Sequence, residues 1–313
     1  MSNATLPTIL VYDPKWIWIK QPEVTGCRIT LDVNLFQDVD AVVFHVPTAP
    51  DLRDFPKHPS QVWVAWSMES EVFYPFLSNV DYMKRFDLTM TYRFDSDVPV
   101  PYFDAATRDA ITNPPRPKTE RAPLVYINSN DFDKSGRLEY VRELMQYLPV
   151  DSYGKSLNNR PIPEDHGRQT KLDIISRYKF TLAYENSRTR DYVTEKFYDP
   201  FEAGSVPVYL GAPNLADFVP GEHCYVDVDQ FNGPRDLAEY LKRAAADDGE
   251  YESYFAWKQQ PLKKTFLDMV ERVSEEAFSR LGRKLREGVG CAAVGRDPVH
   301  KVARWLEQAR KVT

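Results

Sequence analysis

Only three cysteines stand in the 313-residue chain, Cys27, Cys224 and Cys291, and no two of them form a CxxC pair. That excludes a disulfide-stapled fold and a cysteine zinc site, which need more thiols at closer spacing. The five histidines show no metal-ligand spacing either. No apolar run approaches the roughly 18 residues that cross a bilayer as a helix, and the N-terminal MSNATLPTIL lacks the basic flank and apolar stretch of a secretory signal. An excess of positive charge is missing too. The 40 Lys and Arg against 46 Asp and Glu leave a net charge of -6, which gives no overall footprint for nucleic acid or an anionic membrane. Internal repeats and low-complexity tracts are absent. What is present is 42% hydrophobic and 13% aromatic residues, enough for a large core in one domain or two. Tyr and Trp in that number suit a large core first, and also a sugar-stacking cleft.

The clearest compositional seam is Asp109 to Pro123, DAITNPPRPKTERAP, where four prolines and several charges leave no apolar period. It reads as an interdomain linker, dividing the chain into 1–118 and 119–313. Upstream, β-branched and aromatic runs predict strands at Thr8–Tyr12, Ala41–Val46, Val62–Ser67 and Leu88–Tyr92. Downstream, strands at Leu124–Asn128, Phe180–Tyr184 and Ser205–Leu210 alternate with helical patterns. These helices are predicted over Arg137–Leu148, Lys171–Arg177, Tyr192 to about Glu202 with an interruption at Pro200, and Asp236–Ala245. Two further amphipathic helices are expected near the C-terminus, one marked by Phe266, Met269, Val270, Val273, Phe278 and Leu281, the other by Val302, Trp305, Leu306 and Ala309. Strands alternating with helices imply an α/β fold with parallel sheets wound on both faces, whose ligands sit at the carboxyl ends of strands.

The stretch Phe180–Gly211, FTLAYENSRTRDYVTEKFYDPFEAGSVPVYLG, carries the most chemistry. A strand ends in Glu185-Asn186-Ser187, a basic loop follows with Arg188 and Arg190, and a helix opens with Tyr192, Thr194, Glu195 and Lys196. Free N–H groups and the positive dipole end at a helix start favour a phosphate, and Lys196 adds a full charge. Glu195 suits two sugar hydroxyls, and Asn186 offers a donor and an acceptor together. By spacing alone, a phosphorylated-sugar site and a helix with solvated surface charges are both open readings.

Longer strings carry a resemblance. YKFTLAYENS (Tyr178 to Ser187), DYVTEKF (Asp191 to Phe197), AGSVPV (Ala203 to Val208) and GAPN (Gly211 to Asn214) resemble the signature of the α1,3-fucosyltransferase family. The likeness extends to CRITLDVNL (Cys27 to Leu35), VW...SMES (Val62 to Ser70), LTMTYR (Leu88 to Arg93), Ser129-Asn130 with Arg137, DSYG (Asp151 to Gly154) and YFAWK (Tyr254 to Lys258). The wording of PKTERA (Pro117 to Ala122) and SMES (Ser67 to Ser70) is similar to the plant-type branch, which fucosylates the innermost GlcNAc of N-glycans. The resemblance implies a GT-B fold of two Rossmann-like domains facing each other across a cleft. It implies GDP-fucose as donor, and inverting transfer to the 3-hydroxyl of a GlcNAc-containing oligosaccharide or glycoprotein. Core N-glycan, N-acetyllactosamine and Lewis-type acceptors all stay open.

The same resemblance implies Glu69 as general base, with Glu71 its nearest confusable neighbour, and Arg137 and Lys196 as cations on the diphosphate. Tyr192 and Glu195 become nucleotide contacts, Asn186 a sugar-nucleotide contact, and Ser129 and Tyr153 walls of a guanosine pocket. Lys171 and Arg188 are further candidate cations, and Trp66, Phe73 and Tyr74 candidate sugar platforms. No obligatory metal is expected, since Arg137, Lys196 and the helix terminus supply the charge. The pairs Asp38/Asp40, Asp95/Asp97, Asp131/Asp133 and Asp227/Asp229 exceed only modestly what an Asp-rich chain shows by chance. The alternatives are a carbohydrate-binding homologue without turnover, or a transferase using another nucleotide sugar. Golgi relatives carry an N-terminal anchor and several cysteines near the C-terminus. The chain's cysteine content points to a cytoplasmic microbial enzyme, and an excised Golgi-lumen catalytic domain is the other reading, with Asn3-Ala4-Thr5 its one sequon.

Overall fold

The computed structural model of the chain describes residues 6–15, 23–49, 51–52, 55–162 and 164–288. Cys291, the Asn3-Ala4-Thr5 sequon and the expected helix around Trp305 lie outside these residues. The described chain forms two compact units. One holds the residues up to Pro101 together with those from Val273 onward, and the other is Tyr102–Arg272.

In the first unit β1 (Thr8–Tyr12), β2 (Glu23–Val24), β3 (Cys27–Thr30), β4 (Ala41–His45), β5 (Val62–Ser67) and β6 (Leu88–Thr91) form one sheet in the order β2-β3-β1-β4-β5-β6. All neighbours are parallel except β2, which folds back on β3. Side-chain alternation sorts the strands into two cores. Ile9, Val11, Val43, Val64 and Met90 face one side, while Leu10, Val42, Phe44, Trp63 and Ala65 face the other, where the short helix α1 (Val80–Met83) contributes Met83.

The second unit contains α2 (Ala105–Ala110), β7 (Leu124–Asn128), α3 (Arg137–Leu144), β8 (Val150–Gly154), α4 (Arg168–Ile175), β9 (Phe180–Tyr184), α5 (Glu195–Ala203), β10 (Val206–Leu210), β11 (Val226–Asp227), α6 (Pro234–Ala246), α7 (Asp248–Ser253) and α8 (Lys264–Arg272). Its sheet is wholly parallel, in the order β11-β10-β9-β7-β8. Val141 and Leu144 of α3 and Leu237 and Leu241 of α6 are fully buried on one face. Each contributes about 1.5–3 kcal/mol by removal from water alone. Leu172, Ile174 and Ile175 of α4 cover the other face. Strand order reverses between β7 and β9, and such a switch point opens a crevice at the carboxyl ends of the two strands. Here those ends are Asn128 and Tyr184.

The unit boundary differs from the expected 118/119 division in two respects. The proline-rich stretch is docked on the second unit, not free between the two. Lys258 Nζ donates to the carbonyls of Asn113 (2.6 Å) and Phe201 (3.0 Å), and Lys118 Nζ donates to those of Ser176 (2.9 Å) and Gly204 (2.5 Å). These ammonium groups cap the carboxyl end of α5, where the helix dipole is negative. The expected single helix through Phe266 and Leu281 is two helices. The chain turns after Val273, and Glu276 accepts from the Ser279 N–H (2.9 Å) to start α9 (Ala277–Arg286). Phe278 and Leu281 then join the Ile9/Val43 core of the first unit.

α5 also runs unbroken through Pro200, because Phe197, Tyr198, Phe201 and Ala203 are buried around it and outweigh the lost main-chain bond. It ends at Gly204, whose φ of +74° is left-handed, with Ser205 N–H donating to the Pro200 carbonyl (2.8 Å). A Cβ there would stand 2.5 Å from Pro115 Cα. Gly204→Ala is therefore expected to cost about 3 kcal/mol and to lower the melting midpoint by roughly 5–10 °C. An unchanged thermal melt followed by circular dichroism would refute this close-approach reading.

Candidate active site

The β9–α5 corner is organised by a carboxylate. Glu185 directly follows the all-buried strand FTLAY and is itself fully buried. Its two oxygens accept from the Thr194 N–H (2.8 Å) and the Thr194 hydroxyl (2.9 Å), closing the loop between them. Asn214 fixes that loop midway, accepting from Asp191 N–H (2.9 Å) and donating back to Asp191 Oδ1 (2.8 Å) while Asp191 holds a left-handed φ of +65°. Thr194 is thus the N-cap of α5. The first turn begins at Glu195 and Lys196, and Tyr192 lies before the helix, not in its first turn as expected.

Charges alternate along the helix start. Lys196 Nζ lies 3.1 Å from Thr194 Oγ, 3.2 Å from Glu195 and 3.7 Å from Glu185. Lys171 of α4 lies 3.7 Å from Glu195 and 2.8 Å from the buried Asp199, which also pairs with Arg168 at 2.7 Å. Burial alone raises the Glu195 carboxyl, yet Lys196 and then Lys171 hold it down to about 2. Burial lowers the Lys196 amine, and Glu195 and Glu185 more than reverse it, so the amine stays charged; Arg137 is near enough to oppose them. Burial pushes the Glu185 carboxyl up against the pull of Lys196. Glu195 also lines a pocket of about 320 Å³ with Tyr102, Asp104, Thr107 and Arg168.

Across the switch point, the β7–α3 loop is laced to the end of β9. Ser135 Oγ donates to the Glu185 carbonyl (2.6 Å) and Lys134 N–H to that of Asn186 (2.8 Å). Arg137, 1% exposed, donates from Nη1 to the Tyr184 carbonyl (3.1 Å) and from Nη2 to those of Asn130 (2.7 Å) and Phe132 (3.2 Å). Among the described residues its Nε has no hydrogen-bond partner, and neither has Oδ1 of Asn186, which is 7% exposed. Two buried orphan groups, one donor and one acceptor, at the carboxyl end of one strand are costly unless a ligand or water satisfies them. Ser129 is exposed at the end of β7 beside Gly154, whose φ is +90° and whose Cβ would stand 2.4 Å from the Asn128 carbonyl oxygen.

The structure therefore gathers Arg137, Asn186, Glu195 and Lys196 at one strand end, with Tyr192 buried close by, edge-on to Tyr102. Tyr153 does not join them. Its ring lies in the α4-side core and its hydroxyl bonds that of Tyr178 (2.9 Å). Arg188 is paired with Asp229.

In the first unit, Glu69 is part-exposed just past the end of β5, where its N–H donates to Ser67 Oγ (3.0 Å). Burial and then the Glu69 carboxylate raise the neighbouring Tyr74 hydroxyl. Glu71 is buried, accepts from the Tyr92 hydroxyl and pairs with Arg93 at 3.4 Å, so the two carboxylates have different environments. Trp66, a candidate sugar platform, is 7% exposed and packs edge-on against Phe278, while Phe73 and Tyr74 are half-buried.

One aspartate of each Asp-x-Asp pair serves the backbone. Asp40 accepts from Thr8 N–H (2.7 Å), Asp97 from Thr89 N–H (2.9 Å), Asp133 from Leu138 N–H (3.0 Å) and Asp227 from Asp229 N–H (3.0 Å). Among the described residues no group of three or more His, Cys, Asp or Glu is placed to hold a metal ion. Also among them, no helix is long and apolar enough to cross a membrane. Glu185 and Asp199 were not anticipated from sequence. The available signal was an acidic residue set against uninterrupted apolar neighbours, FTLAY before Glu185 and FY–PF around Asp199.

Residues 117–302 match the C-terminal model of glycosyltransferase family 10 (fucosyltransferase), and residues 4–103 match the fucosyltransferase N-terminal model. An alpha-(1,3)-fucosyltransferase B of Drosophila melanogaster is 32% identical over 301 residues, covering 87% of this chain and 67% of that protein. A GDP-fucose protein O-fucosyltransferase 3 of Mus musculus is 46% identical over 143 residues, covering 44% of this chain and only 30% of that protein. The crystal structure of an alpha1,3-fucosyltransferase with GDP superposes with a TM-score of 0.63 at 16% identity, over 93% of this chain and 92% of that one. That likeness is one of fold, two Rossmann-like parallel sheets of the GT-B class. With both family models matched in order along it, the chain belongs to glycosyltransferase family 10, the fucosyltransferases.

Proposed function

We propose that the chain transfers L-fucose from GDP-β-L-fucose, with inversion, to the 3-hydroxyl of a GlcNAc residue in a glycan. The observation that carries this reading is the convergence of Lys196, Arg137, the α5 N-terminus and the orphan Asn186 Oδ1 at the switch point of a parallel sheet. Such a place favours a doubly charged diphosphate. Glu195, kept ionised, accepts hydroxyls of the ribose or the fucose. In the reaction the acceptor oxygen bonds to the anomeric carbon as the bond from that carbon to the β-phosphate oxygen breaks. The electron pair leaves with GDP, where Lys196 and Arg137 stabilise it, and the hydroxyl proton passes to Glu69. These cations supply the charge a metal would otherwise bring.

A second acceptor, a Ser or Thr hydroxyl of a protein, is favoured by the 46% identity to the mouse protein O-fucosyltransferase over 143 residues. The displacement chemistry is the same for both. GDP release is to be measured with GDP-fucose and, in parallel, a core pentasaccharide with free terminal GlcNAc, N-acetyllactosamine, and folded unglycosylated protein domains. The expected result is acceptor-dependent release with a GlcNAc glycan and an α1,3 linkage in the product. Release with the protein domains alone would replace the glycan reading, and no release with any acceptor would leave a binding protein without turnover.

A further inference from the structure

We propose that Glu185 is a positioning residue that, through the Thr194 hydroxyl, sets the direction in which Lys196 presents its charge. The inference rests on the donor-binding reading above and deepens it.

The argument begins with hydrogen-bond polarity. An ionised carboxylate only accepts, so the Thr194 hydroxyl, 2.9 Å from Glu185 Oε2, has to donate to it. Its oxygen is then left with lone pairs alone, and these face Lys196, whose N–H lies at 3.3 Å and whose Nζ lies at 3.1 Å. The Thr194 N–H is committed as well, to Glu185 Oε1 at 2.8 Å. One buried carboxylate thereby fixes the rotor of the N-cap, the start of α5 and the anchor point of the amine. Little room exists for Glu185 to move, since a Cβ on Gly211 would stand 2.7 Å from Glu185 Cγ and 2.3 Å from the Tyr209 hydroxyl.

The charges around the amine come from every neighbouring element. Glu195 on α5 and Glu185 after β9 favour its protonated form, Arg137 of α3 opposes it, and the Tyr126 hydroxyl of β7 lies within its field. Glu185 in turn faces the Tyr198 and Tyr209 hydroxyls, both held protonated by burial and then by its charge. Removing the Glu185 charge takes away one of two carboxylates within 4 Å of Lys196 and frees the Thr194 rotor.

The test combines GDP titration calorimetry across alkaline pH with kcat at saturating GDP-fucose. For Glu185→Gln, the pH above which GDP affinity falls is expected to drop by about one unit, giving roughly tenfold weaker binding than wild type on that limb. For Thr194→Val, kcat is expected to fall by about tenfold or more, and Thr194→Ser, which returns the hydroxyl, is expected to restore it to within about threefold. A purely structural role would lower the melting temperature of all three variants without moving the alkaline limb or separating Val from Ser. If Glu185→Gln does not fold, the Thr194 pair carries the test, and equal kcat for Val and Ser overturns the proposal. An unshifted limb in a folded Glu185→Gln does the same. Absence of GDP binding by the wild-type chain would instead strike the donor-binding reading itself.

Discussion

Glu69→Gln is expected to lower kcat by about 10²–10⁴-fold while leaving the affinity for GDP within about twofold of wild type. The amide keeps the size of the side chain and can still donate or accept a hydrogen bond, but it cannot take the acceptor's proton. GDP affinity is spared because the residues that would hold the nucleotide, Arg137, Asn186, Glu195 and Lys196, belong to the second unit and Glu69 to the first. The neighbouring carboxylate provides the contrast. Glu71 is 9% exposed, pairs with Arg93 and accepts from Tyr92, so Glu71→Gln leaves a buried guanidinium short of one counter-charge. That loss is expected to appear as destabilisation of about 3 kcal/mol, since breaking one side of a buried pair costs that order. Stopped GDP-release assays and thermal melts on the two variants give opposite patterns if the assignment holds. Loss of turnover in a well-folded Glu71→Gln, with Glu69→Gln active, would exchange the roles.

Much of this was legible in the residue pattern, and what was not depends on contacts distant in sequence. Strands β5, β7 and β9 were readable to the residue because each is an apolar run with polar ends. The helix after β9 was readable in place but not in its start. Tyr192 and Val193 are buried and Val193 stands at i,i+4 spacing to Phe197, yet Asp191 and Thr194 hold non-helical backbone, bonded to Asn214 and Glu185. Likewise, the apolar period running from Phe266 through Val273 to Leu281 says helix without saying which sheet is covered. Phe266 packs on Phe103 and Tyr198 in one unit, while Leu281 joins the core of the other. The composition of Asp109–Pro123 gives no apolar period, yet α2 runs into its first two residues, and composition cannot reveal that Lys118 and Lys258 tie the rest to the end of α5. At the site, Asn186, Tyr192, Glu195 and Lys196 follow from one local motif. Glu185 carries no such mark in the sequence, because its importance comes from burial, and burial is a property of the fold.

Lys196→Ala is the second large effect expected, and it separates binding from stability. Removing the charge-assisted donor proposed for the diphosphate is expected to weaken GDP binding by about 10–100-fold and to reduce kcat by about 10²–10³-fold, since on that proposal the charge it would meet grows as GDP departs. Lys196→Arg should recover only part of this, because a planar fork does not fit a point-charge position set by Thr194 Oγ at 3.1 Å. The same deletion leaves Glu185 buried without the amine that opposes its rise. Its folded-state carboxyl then lies further above its unfolded value, so protonation favours the folded state. The consequence for pH has a definite sign. The stability linked to this group is complete below the unfolded carboxylate range, about pH 4, and is lost as pH rises through the raised folded value. Lys196→Ala should therefore melt progressively lower than wild type from mildly acidic to neutral pH. Adding Glu185→Gln to Lys196→Ala should return much of the melting temperature, because the uncompensated charge is gone, while GDP binding stays weak. If Lys196→Ala shows the same melting difference from wild type at every pH, the ion pair with Glu185 is not what links the two residues. If the double variant binds GDP as wild type does, Lys196 is not the cation that holds the diphosphate.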